Sequence, residues 1–241
     1  MHQLTLNVLR WVAWVPGIDL CNDWPSWTPE LGSQHIAVPP ELPFVPAVVR
    51  RRLSHNSRLA IRAAHDCLGD DQAIGSAVFC SRHGECKRTL GIFESMVKGE
   101  SVSPIQFSQS VHNAAAGIFS IEHQLQVPVT SIAAGAASTE QGFIEAVGLV
   151  KAGAGPVLWV VSDDHLAQPF DRFVQVPEFP FGLALLVGEV PGQPTLTLSR
   201  SEHRVQQGRA TGTNDLLAEL TGQTCFGVEN GNGWCWHYQA D

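Results

Sequence analysis

The run from Pro156 to Ser162, Pro-Val-Leu-Trp-Val-Val-Ser, limits the fold more than any other stretch, because it contains no charged residue. A strand with one wet face alternates apolar and polar side chains. An unbroken apolar run of this length belongs to a strand covered on both faces. It follows a segment from Ser138 to Ala152 with helical character, closed by Gly153 and Gly155. A helix leading into a doubly covered strand is the unit of a layered α/β sheet.

The remaining segments extend that pattern. Leu4 to Val15 begins with alternation and reads as a strand, and a proline-rich loop from Pro16 to Pro46 follows. Trp14, Trp24 and Trp27 are expected to anchor that loop by packing. Asn56 is the expected cap of a helix through Cys67, stopped by Gly69, with Leu59, Ala60, Ala63, Ala64 and Cys67 on one face. Gly75 to Cys80 is a short buried strand, and 87–98 a second helix. Ser103 and Pro104 form a cap and first turn for a helix running to about Gln124, and Val127 to Ile132 is strand-like. Leu183–Val190 and Thr195–Ser199 are expected to pair as an antiparallel hairpin around Pro191-Gly192. The spacing predicts a short helix over 214–220. After a turn at Gly231-Asn232-Gly233 comes a strand with Trp234, Trp236 and Tyr238 on one face. The expected division is 1–192 as the main unit and 193–241 as a short C-terminal extension.

Charge excludes some partners. With 16% charged residues and a net charge of -8, the surface suits neither nucleic acid nor an anionic membrane. Arg50-Arg51-Arg52 is the nearest approach to a basic tract, either a solvated helix face or a docking spot for an acidic partner. The six cysteines form no CxxC pair, and Cys80 and Cys86 with His83 between them match zinc spacing poorly, so no metal and no cofactor are expected. Their scattered apolar contexts suggest reduced thiols in a cytoplasmic protein. No signal peptide is evident, and no apolar stretch approaches the ~20 residues that span a bilayer.

Three segments resemble the ketosynthase branch of the thiolase-like superfamily. Arg51-Arg52-Leu53-Ser54 leading into Ala60–Ala64 is similar to that family's first helix. Ser110-Val-His-Asn-Ala-Ala-Ala-Gly-Ile-Phe-Ser-Ile121 resembles its segment of Ser, Val or Ile, a variable residue, Asn, and then Ala-Gly and Ser-Ile. Pro156–Ser162, Pro169-Phe170-Asp171 and Gly182–Glu189 resemble the strand and hairpin that follow its nucleophile helix. The resemblance covers roughly residues 50–190. It implies a layered thiolase-like α/β fold, the N-terminal half of a ketosynthase, with a mixed sheet and helices on both faces.

In that family a cysteine opens the helix that ends in the Gly turn, where a thiolate is favoured. The family's spacing, laid nineteen positions on from Gly117 and seventeen before Gly153, falls on Ala136 both times. Pro128 falls where the family has a proline, and no cysteine lies between Cys86 and Cys225. An alanine methyl carries no acyl thioester, so the usual two-stage condensation is closed to this chain. Active relatives also carry two histidines, in His-Gly-Thr and Gly-His motifs of a second half, and the chain ends before that half. His83-Gly84-Glu85 lies too early to replace them.

The resemblance therefore implies a non-catalytic partner, a chain-length factor that pairs as a heterodimer with a full-length catalytic ketosynthase and meets acyl carrier protein through it. The short form is similar to the partner subunit of bacterial aryl polyene synthesis. Phe107, Ile118 and Phe119 are the expected tunnel-wall or core residues, and His112, Asn113 and Ser138 lie at the same interface region. A half-length fold should leave a sheet face or a helix layer uncovered, for a partner to bury. The rival readings are a carrier-protein scaffold and an independent acyltransferase or hydrolase using Ser138 with His112.

Overall fold

The computed structural model describes residues 3–15, 38–69, 73–173, 179–200, 212–222 and 233–240. Seven strands form one sheet: β1 (Gln3–Trp14), β2 (Ser76–Cys80), β3 (Val129–Ile132), β4 (Val157–Asp163), β5 (Phe181–Gly188), β6 (Thr195–Arg200) and β7 (Trp234–Gln239). Their order across the sheet is β3-β2-β4-β5-β1-β6-β7. β2 is parallel to β3 and β4, and every other pairing is antiparallel. The sheet is mixed because the β2, β3 and β4 connections pass through helices, whereas β4, β5 and β1 meet edge to edge.

Among the described residues seven α-helices accompany the sheet: α1 (Ala47–Arg50), α2 (His55–Leu68), α3 (Cys86–Val97), α4 (Pro104–Ser108), α5 (Ala114–Glu122), α6 (Ser138–Lys151) and α7 (Gly212–Thr221). β5 is buried along its whole length and β4 at every residue but the last, which agrees with the apolar run. One face of the sheet packs α2 and α5 through Leu158, Val160, Leu186, Ile61 and Phe119. The other packs α6 and α7 through Trp159, Val161, Phe143 and Leu216. Both faces of the central sheet are thus covered within this chain. The uncovered apolar surface lies instead on α3–α5.

The expected hairpin does not form. β5 and β6 lie on opposite edges of β1, which pairs with β5 over Asn7–Trp14 and with β6 over Gln3–Asn7. Asn7 fixes the crossing: its Nδ2 donates to the Gln193 carbonyl at 2.9 Å, and its Oδ1 accepts from the Val190 amide at 3.0 Å. The 189–194 connection therefore arches over β1 instead of turning back on β5.

The helix expected from Pro104 to Gln124 is two helices. The helical pattern stops after Gln109: the Gln109 amide still donates to Ile105, four residues back, but the Ser110 amide donates to Phe107, three residues back. The helix over 55–68 is capped by Ser54, not Asn56: Ser54 Oγ accepts from the Ser57 amide at 2.9 Å. Ser54 and Ser57 in turn donate to Glu85 Oε1 at 2.6 and 2.7 Å, which ties the start of α2 to the start of α3.

The expected division at residue 192 falls inside this sheet. β6 pairs with β1 and β7 with β6, and Leu196, Leu198, Leu217 and Trp236 share one core with Trp159. Trp236 stacks on Trp159 at 5.9 Å and meets Phe143 edge-on at 5.2 Å. Trp14 packs edge-on against His55. Trp24, Trp27 and the turn at 231–232 lie outside the described residues.

Candidate functional site

The site forms where the parallel strands β2 and β4 end, the position at which open α/β sheets bind ligands. At the end of β4, the half-buried Asp163 carboxylate accepts from Ser81 Oγ at 2.7 Å, the Arg82 amide at 2.9 Å and the His83 amide at 2.8 Å. Burial holds its carboxyl above the ordinary value despite those three donors. The β2–α3 turn is thereby pinned to the end of β4.

Ala136 sits beside it, in the turn Gly135–Ala137 between β3 and α6. Ser138 secures this turn: its Oγ donates to the Gly135 carbonyl at 2.8 Å and accepts from the Ala134 amide at 3.0 Å. The cavity at this position measures about 30 Å3 and is lined by Arg82, His83, Ala136, Thr139, Thr213 and Asn214, among others. Thr213 comes from α7 and shares a 2.6 Å hydrogen bond with Thr139 of α6, so the C-terminal segment forms part of the site's wall.

Ser138 and His112 do not make a nucleophile–base pair. His112 Nε2 donates to the Ser81 carbonyl at 2.8 Å, and the Ser138 hydroxyl proton goes to Gly135. Asn113 precedes α5 without capping it through its side chain. Phe119 is fully buried in the core, stacked on His123 at 4.0 Å and 5.6 Å from the Phe79 ring. Ile118 is partly buried against the same core, while Phe107 on α4 is 65% exposed. Of the three expected wall residues, only Ile118 and Phe107 reach the surface.

The thiols of Cys67 and Cys80 are both pushed up to about 12 by burial, which leaves them inert packing groups. Cys86 is half-buried and Cys235 exposed, and all four are free. Among the described residues no group of three or more His, Cys, Asp or Glu is placed to hold a metal ion. No helix among them is long and apolar enough to cross a membrane.

Two features go beyond the sequence reading. The first is the place of the uncovered apolar helix surface, on α3 and α4, made by Phe93, Met96, Val97, Ile105 and Phe107, all exposed. Of the twelve residues of α3, only Ile92 is buried. The second is a carboxyl group shared between α6 and α7. Burial, with the charges of Glu140 and Glu219, raises Asp215 to about 7. The folded protein therefore takes up a proton at Asp215 that the unfolded chain releases near 4, and the wild type loses stability as pH rises from 4 to 7. Asp215→Asn should remove that loss: thermal melting is expected to show the variant gaining on the wild type across pH 4–7, with the gain constant above it.

The family profile described as "Beta-ketoacyl synthase, N-terminal domain" matches residues 24–237. Among solved structures, a chain of "Ketosynthase (ApeO) in Complex with its Chain Length Factor (ApeC) from Xenorhabdus doucetiae" is 28% identical, with a TM-score of 0.79, over 98% of this chain and 99% of that one. "The ishigamide ketosynthase/chain length factor" gives 18% identity and a TM-score of 0.60, over 91% of this chain and 74% of that one. A β-ketoacyl synthase from Burkholderia phymatum STM815 gives 16% and 0.53, over 76% of this chain and 57% of that one. No curated protein matches the chain. The seven-stranded mixed sheet, the helices on both its faces and the match over residues 24–237 together place the chain in the β-ketoacyl synthase family, as a protein built on its N-terminal domain.

Proposed function

We propose that this chain is a chain-length factor: a ketosynthase-like subunit that forms no bond to substrate and pairs with a catalytic ketosynthase in polyketide assembly of the aryl polyene type. The observation that carries the reading is the residue at position 136, an alanine in the turn before α6. The family's spacing puts its nucleophile at this alanine, and a methyl carries no acyl thioester. Neither Ser138 nor His112 supplies a substitute. The near-equal length of this chain and its match in the ApeO–ApeC complex supports a short subunit in such a pair.

In this reading the partner covers α3 and α4, and Phe107 and Ile118 line the acyl tunnel where the two subunits meet. Acyl carrier protein approaches through the pair, with the exposed Arg51 and Arg52 as the cationic spot for its acidic surface. The test is reconstitution with a catalytic ketosynthase and an acyl thioester carrying an isotopic label. Intact-mass measurement is expected to place the label on the partner and none on this chain, and stoichiometric acylation of this chain would refute the proposal.

A further inference from the structure

Away from position 136, two histidines meet between α2 and α5. His65 Nδ1 of α2 lies 3.0 Å from Nε2 of His123, the C-terminal cap residue of α5. Phe44 stacks on the His65 ring at 3.5 Å between centres, and Phe119 stacks on His123 at 4.0 Å. Both imidazoles are half-buried.

The neighbours assign the protons. His123 Nδ1 lies 3.2 Å from the Phe119 carbonyl oxygen, which only accepts, so Nδ1 carries the proton. Nε2 of that neutral ring is then the acceptor, and His65 Nδ1 donates to it. One added proton leaves this bond in place. At His65 Nε2 it charges the donor ring, and a charged donor makes the stronger hydrogen bond. A second proton has to go to His123 Nε2, the accepting atom itself. Two N–H groups and two positive charges would then face each other across 3.0 Å, and the contact opens.

Other charges do not offset this. Of the elements packed on α5, α2 brings His65, Arg62 and Asp66, of which the last two pair with each other at 2.6 Å. The segment 38–46 brings Glu41, whose carbonyl accepts from Arg62, and α5 itself carries Glu122. β3 is uncharged, and β2 meets Phe119 through Phe79. Burial, then the charge of a protonated His65, hold His123 below its ordinary 6.5, although the Phe119 carbonyl works the other way. The contact is therefore present above 6.5 and is lost as pH falls through the lower value of the folded chain.

We propose that His65 and His123 form an acid-sensitive clasp that holds the end of α5 on α2, and that its opening weakens the grip of this chain on its catalytic partner. The second clause rests on the chain-length reading, because α5 carries Ile118 and the 73%-exposed Ile121 at the surface the partner would meet. The clasp itself does not depend on that reading.

His65→Gln separates the clasp from every other titrating group. Its amide donates to neutral His123 and, by rotating, accepts from the protonated ring, so it holds in both states. The co-purified pair is compared at pH about 7.5 and about 5 by size-exclusion chromatography at a series of dilutions. Wild type is expected to lose affinity by up to about tenfold per pH unit below the His123 value, and His65→Gln markedly less. In the isolated chain, hydrogen–deuterium exchange over residues 119–125 should be faster in wild type than in His65→Gln at the acid pH and equal at the neutral one. If His65→Gln melts below wild type at neutral pH, His123→Gln replaces it, since its amide oxygen accepts from His65. Equal acid loss of pairing in wild type and variant, or equal exchange over 119–125 at acid pH, would overturn the proposal. Failure of the wild type to pair even at neutral pH would refute the chain-length reading instead, and the exchange comparison then decides the clasp by itself.

Discussion

Phe107→Asp is expected to abolish pairing with the catalytic ketosynthase while leaving the fold of this chain unchanged. The side chain is 65% exposed on a short helix whose cap, Ser103, is elsewhere. Substitutions at such surface positions usually change stability by less than about 0.5 kcal/mol. Its setting makes it valuable to a partner. α3 and α4 pack against each other, and Phe93, Met96, Val97 and Ile105 are exposed on them. Exposed apolar patches of this kind mark interaction sites. A central aromatic lost from such a patch costs at least about 2 kcal/mol of binding, roughly 30-fold in Kd, and a carboxylate buried in its place costs more. Co-expression followed by size-exclusion chromatography reads the pairing, and thermal melting reads the fold. A complex that survives Phe107→Asp would remove α4 from the interface.

The parts of the fold written in local chemistry were legible before the structure. The strand at 157–163 followed from an unbroken apolar run, and α6 from a periodic segment with closing glycines. The Ser103–Pro104 start of α4 followed from capping, and Ser103 Oγ does accept from the Gln106 amide. What failed depends on partners distant in sequence. The β5–β6 hairpin was plausible from Pro191-Gly192, but the decisive residue is Asn7, more than 180 positions away, which clamps the connection across β1. The break between α4 and α5 is a switch to three-residue backbone hydrogen bonding at Ser110, which periodicity does not record. Asn56 looked like a cap because caps favour asparagine. Its amide is instead turned inward onto Gly84 and Ser81, while Ser54 caps the helix. The Thr139–Thr213 contact beside residue 136 could not be read either, since nothing local links residues 139 and 213.

Gly182→Ala is expected to be among the most destabilising single-methyl additions to this chain, and Gly188→Ala nearly silent, although both glycines lie on β5. A Cβ at Gly182 would stand 2.4 Å from the Leu59 carbonyl oxygen and 2.8 Å from its carbon. These are backbone atoms of α2, which has no rotamer to yield and must move as a body. At Gly188 the nearest atom, Leu9 Cδ1, is 3.7 Å away, an ordinary contact with a flexible side chain. Overpacking costs about 1–3 kcal/mol and more when backbone must shift, against roughly 0.5–1 kcal/mol recovered by removing a strand glycine. Gly182→Ala should therefore lose about 3 kcal/mol net, a fall in Tm of roughly 6–12 °C for a chain of this size. Gly188→Ala should melt within about 4 °C of the wild type, on the stabilised side. The glycine is what allows α2 to lie directly on β5, and the start of α2 carries Ser54, His55 and Asn56. A forced displacement of α2 would thus reach Glu85 as well as the core. Equal melting of the two variants would show that α2 rests on the sheet less closely than the 2.4 Å approach implies.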